Sequence, residues 1–67
     1  MHTVLVNGEQ TELAARTSVR DLLEKMDLLE RRVAVERNGG IVPRSRHGET
    51  WLIEGDRIEI IVAVGGG

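Results

Sequence analysis

The chain has 67 residues, 40% hydrophobic and 30% charged, with a formal charge of −2 at pH 7 and no cysteine. One domain of that length buries about 60% of its unfolded surface, which leaves no room for a deep catalytic cleft, and the acidic balance gives no electrostatic footprint for nucleic acid, which is not expected as a partner. The missing cysteine removes disulfides and thiol chemistry, while no apolar run approaches the roughly 20 residues of a membrane span and no signal peptide is recognisable, so the expected location is cytoplasmic with no membrane contact.

Residues 2–7, HTVLVN, are rich in β-branched residues and end on Asn7-Gly8, a tight-turn signal. They predict a first strand, and residues 9–14 pair back as the second arm of a hairpin. TSVRDLLEKMDLL then predicts one amphipathic helix, with Thr17 or Ser18 able to cap it and Val19, Leu22, Leu23 and Met26 recurring at i, i+3, i+4 and i+7. A short strand at 33–37 follows, then a turn at Asn38-Gly39-Gly40 and a brief extended segment at 41–42 that Pro43 ends.

SRHGETWLIEGD reads as irregular, with turn signals at Gly48 and around Gly55. The last strand, 57–64, alternates so that Ile58, Ile60, Val62 and Val64 line one face, as a central strand would. A helix between the first and last strands provides the crossover that makes them parallel. A hairpin, a helix and further strands in this order predict an α+β fold, a ubiquitin-like β-grasp with one helix packed across a small mixed sheet, occupying residues 1–67 as a single domain with a tail at 65–67.

Few side chains invite a chemical role. His2 and His47 have no ligand cluster around them and read as surface histidines, and no metal or bound cofactor is expected. Arg31 and Arg32, and separately Arg44, Arg46 and His47, form small basic groups that either grip an anionic partner or are simply solvated. Trp51, the one aromatic residue, is either an interface anchor or a half-buried cover for the irregular stretch. Ile61 and Ala63 alternate away from the inner set of the last strand and put apolar surface where a one-sided sheet expects polar residues, which makes them candidate docking surface.

The last three residues are all glycine. Gly65, Gly66 and Gly67 lack Cβ atoms and can thread a channel too narrow for side chains, reaching about 10 Å past the strand end. Such a tail either delivers a carboxylate into a partner's active site or is a frayed terminus.

VNGE at the first turn, TSVRDLLE opening the helix, VAVERNGGIVPR, GDRIEI and the terminal VGGG occur in an order and spacing that resembles the ThiS family of ubiquitin-like sulfur carriers. The resemblance runs over nearly the whole chain. It implies a protein co-substrate in place of an enzyme: an E1-like, ThiF-like enzyme uses ATP to adenylate the Gly67 carboxylate, sulfur drawn from cysteine by a desulfurase-type source replaces AMP to leave a thiocarboxylate, and a ThiG-like thiazole synthase takes that sulfur for thiazole phosphate. Gly65 and Gly66 would enter the partner's active site ahead of Gly67. The small subunit of molybdopterin synthase shares the Gly-Gly end but usually carries a Phe- or Pro-containing stretch before it, which this chain lacks. A ubiquitin-like protein modifier would use the same terminal chemistry on a lysine acceptor, and a plain interaction domain would need no particular terminus. An independent enzyme would need convergent titratable groups, which cannot be assembled from these residues.

Overall fold

Two Asn-Gly pairs shape the sheet. In the computed structural model, which describes residues 1–64, Asn7 and Asn38 adopt φ of 51° and 52°, and Gly8 and Gly39 follow at 85° and 88°. Positive φ at both central residues gives a two-residue hairpin whose twist matches that of its strands. The first turn joins β1 (His2–Val6) to β2 (Glu9–Leu13), and the second joins β3 (Val33–Arg37) to β4 (Gly40–Ile41).

Between these hairpins lies β5 (Arg57–Val62), parallel to β1 and antiparallel to β3, in the strand order β2-β1-β5-β3-β4. The last strand is therefore central, as its alternation predicts. This is the β-grasp arrangement, with the helix α1 (Val19–Lys25) supplying the crossover.

Helix α1 starts at Ser18, whose side chain accepts from the Asp21 N–H while the Asp21 carboxylate accepts from the Ser18 N–H, both at 3.0 Å. This reciprocal pair satisfies two donors that the first turn leaves free. At the other end Asp27 turns left-handed at φ 60°, its N–H bonds to the Glu24 carbonyl and the Leu28 N–H reaches back to the Leu23 carbonyl. Those are the two bonds of a Schellman stop. The stop explains why Met26, expected on the inner face, is instead the partly exposed helix cap.

The stretch after Pro43, expected to be irregular, contains a 3-10 helix at Arg44–Glu49. Beyond it, Thr50 and Leu52 exchange backbone bonds with residues on either side of Ser18, Val19 N–H to the Thr50 carbonyl and Leu52 N–H to the Thr17 carbonyl, each at 2.9 Å. Leu52 is thereby driven into the core beside Val4, Leu13, Val19, Leu22 and Ile58. The expected inner set of the last strand is shorter than its alternation suggests: Ile58 and Ile60 are buried, Val62 is half-buried, and Val64 lies past the strand end at 90% exposure. Among the described residues no helix is long and apolar enough to cross a membrane.

Candidate functional site

The site of interest is the end of β5, from which the chain runs on to the glycines. Its position is set by side chains of both hairpins. The Asn7 N–H donates to the Ile58 carbonyl at 2.8 Å, and there β1 turns away. The Asn7 side chain then extends the ladder by one step: its Oδ1 accepts from the Ile60 N–H at 2.7 Å and its Nδ2 donates to the Ile60 carbonyl at 3.3 Å. At the start of the strand Asn38 does the corresponding work, its Oδ1 accepting from the Arg57 N–H at 2.9 Å and its own N–H donating to the Arg57 carbonyl at 2.8 Å.

A buried carboxylate braces that start. Asp56, 4% exposed, accepts from the Ile53 N–H at 2.9 Å, from Arg37 Nε at 3.0 Å and from Asn38 Nδ2 at 3.0 Å. Burial by itself opposes its ionisation, but the Ile53 N–H, the Asn38 amide and the Arg37 guanidinium together outweigh that and hold its carboxyl below the ordinary carboxylate value. No buried side-chain polar atom among the described residues lacks a partner.

Past Ile60 the two edges of β5 differ. On the β3 side pairing continues to Val33 opposite Val62, and the Ala63 N–H donates to the Arg32 carbonyl at 2.9 Å. On the β1 side, among the described residues, no strand accompanies Val62. The strand thus leaves the sheet while still anchored along one edge. Ile61 is 57% exposed and Ala63 is exposed, with exposed Ala34 directly opposite Ile61 on β3. The apolar surface expected at Ile61 and Ala63 is therefore open to solvent and gains a third member. Gly65, Gly66 and Gly67 lie outside the described residues.

Other residues singled out in the sequence are placed differently. His47, expected at the surface, is 7% exposed, with Nε2 3.1 Å from the Val42 carbonyl. A carbonyl only accepts, so that nitrogen donates, and the ring ties the 3-10 helix to the segment before Pro43. His2 is half-buried on β1. No group of three His, Asp or Glu side chains suited to a metal occurs among the described residues. Trp51 is 45% exposed with Arg16 Cζ 5.3 Å from its ring centroid, a cation–π contact that partly covers the ring. The side chain filling the core from that stretch is its neighbour Leu52.

The family model matching this chain is that of the ThiS family, over residues 4–67. The sulfur carrier protein ThiS of Bacillus subtilis is 38% identical over 63 residues, covering 92% of this chain and 96% of that protein. A thiazole synthase of Paramagnetospirillum magneticum is 39% identical over 64 residues, which are 96% of this chain, and the chain spans only 20% of that protein's length. Among solved structures, the thiamine biosynthesis protein ThiS of Geobacter metallireducens superposes with a TM-score of 0.81 at 29% identity, covering 97% of this chain and 99% of that one.

Proposed function

The chain belongs to the ThiS family, and on that premise we propose that it is a sulfur carrier of thiamine biosynthesis whose reactive group is the Gly67 carboxylate. A carboxylate with an ordinary terminal pKa of about 3.3–3.7 is ionised at neutral pH and is a poor electrophile. A ThiF-like enzyme supplies the missing leaving group: a Gly67 oxygen attacks the α-phosphorus of ATP, pyrophosphate departs, and an acyl adenylate forms. The outer sulfur of a persulfide from a cysteine-desulfurase-type source then attacks the acyl carbon and AMP leaves; a thiol reductant cleaves the resulting acyl disulfide, is itself oxidised to a disulfide, and a thiocarboxylate remains. The acceptor is a ThiG-like thiazole synthase, the activity for which the Paramagnetospirillum relative is named. In this scheme ATP belongs to the partner, and the carrier's own residues bind, orient and present the terminus.

The observation that carries the reading is the family match, which runs over residues 4–67 of the chain. The geometry of β5 supports it. A central strand, pinned by Asn7 and Asn38 and paired on one edge to its end, is a stiff base for a short tail that must reach a buried active site. Gly65 and Gly66 add reach without side-chain bulk, and the surface of Ile61 and Ala63 lies beside the exit as docking area.

Intact mass after incubation with ATP, the adenylating enzyme and a sulfur source tests the proposal. The expected gain equals one oxygen replaced by sulfur, absent from a variant lacking Gly67. No gain with an adenylating enzyme that is active on another carrier would refute it.

A further inference from the structure

The same end of the molecule carries a second feature, and its interpretation deepens the carrier reading and rests on it. Arg31 and Arg44, from basic groups that are separate in the sequence, meet Arg20 of α1 around one hollow of about 290 Å³. No carboxylate lines this hollow. Neither ion pair found among the described residues, Arg37–Asp56 or Arg46–Glu49, involves any of these three arginines. Three exposed guanidinium groups around one concavity, in a chain whose net charge is −2, form a local field opposite in sign to the whole.

The floor of the hollow is apolar, with Leu23, Leu28 and Val33. Gly48 forms part of its wall, with the Arg20 side chain 3.9 Å from where a Cβ would stand. Val33 fixes its location relative to the exit of the tail. That residue pairs with Val62, and the preceding Arg32 receives the Ala63 N–H. The hollow therefore stands beside the end of β5.

We propose that this hollow receives carboxylate side chains of the adenylating enzyme, from the rim of the opening that admits Gly65, Gly66 and Gly67. Guanidinium groups match carboxylates in charge and in bidentate geometry. The apolar floor suits the methylenes of an acidic peptide segment better than a bare phosphate, which has no apolar part to bury. The step also needs an attractive contact of this kind. The Gly67 carboxylate approaches a bound triphosphate of like charge, and cations beside the exit offset that repulsion and steer the encounter.

The test is steady-state pyrophosphate release by the adenylating enzyme as a function of carrier concentration, at low and at physiological salt. The full chain is compared with Arg20→Glu/Arg44→Glu and with the milder Arg20→Gln/Arg44→Gln, each checked for cooperative unfolding. The expected result is a rise of about tenfold or more in KM for the carrier, kcat held within about twofold, and a weaker salt dependence of kcat/KM than in the parent. Unchanged KM and salt dependence in the folded Gln variant would overturn the proposal, even if the Glu variant does not fold. So would a loss confined to thiazole synthase binding. Failure of the carrier reading itself is visible separately, as absence of adenylation of the unsubstituted chain.

Discussion

Removing the Asn7 side chain will loosen β5 at the point where it leaves the sheet. In Asn7→Gly the left-handed backbone at φ 51° is retained without strain, and only the two bonds to Ile60 are lost. The bond at 2.7 Å counts as a full hydrogen bond of about 1 kcal/mol net, and the one at 3.3 Å as less. Leaving the part-buried Ile60 N–H without its partner adds part of a desolvation cost, for a total of about 2 kcal/mol. Asn7→Ala loses the same bonds and also forces a Cβ-bearing residue without a local polar group into the left-handed region, adding about 1 kcal/mol.

For a domain of this size, with a total stability at the low end of the usual range of about 5–15 kcal/mol, both losses are large. Urea midpoints should therefore fall in the order Asn7, Gly, Ala with an unchanged m-value. Amide exchange should quicken at Ile60 beyond what global destabilisation accounts for. A glycine variant as stable as the parent would mean that the side chain does not extend the ladder. Equal midpoints for glycine and alanine would refute the backbone part of the reasoning.

Two further outcomes follow from the site. Asp56 has its carboxyl held below the ordinary value, so the stability it contributes is present above the unfolded value of about 3.9 and is lost as pH falls through the lower folded value; the stability gap between parent and Asp56→Asn in urea titrations should narrow below about pH 4, and a gap constant down to about pH 2 would refute the assignment. Ile61→Asp, at a residue 57% exposed, should change folding stability by less than about 1 kcal/mol yet weaken binding of the adenylating enzyme or the thiazole synthase about tenfold or more; unchanged affinity for both in a binding titration would remove Ile61 from the docking surface.

The sheet was largely readable in the sequence because its signals are local. Asn7-Gly8 and Asn38-Gly39 specify their hairpins by backbone preference alone, and the alternation at Ile58 and Ile60 marks a buried strand without reference to its neighbours. What the sequence hid depends on partners far along the chain. The Asn7 amide serves Ile60, 53 residues away, and Asp56 gathers Arg37 and Asn38 from 19 and 18 residues back. Leu52 sits in a stretch with no period, and only the backbone exchange with Thr17 and Val19 turns it inward. His47 is a similar case: its burial follows from a 3-10 helix that brings its ring to the Val42 carbonyl. The helix ended early for a reason nearer to hand, since Asp27 can take the left-handed stop that glycine usually supplies. Arg31 and Arg44 were each visible as part of a basic group, but their meeting with Arg20 is a product of the fold.

The hairpin asparagines also bear on how such a carrier can be both small and effective. A short tail positions its terminus only as well as its base is fixed, because each residue added beyond the base widens the range the end explores. Here the base is the one strand paired with both β1 and β3, and the two turn residues that the hairpins need for their left-handed backbone spend their side chains on that same strand. On the proposed carrier function, fold stability and tail placement are coupled through Asn7 and Asn38. A substitution there that leaves the domain folded should still lower the rate of adenylation by widening the distribution of Gly67, whereas a substitution of equal destabilisation on the far side of the sheet, such as Thr11→Gly on the edge strand β2, should not. Equal adenylation rates for Asn7→Gly and Thr11→Gly, measured where both remain folded, would show that the base of the tail has no such role.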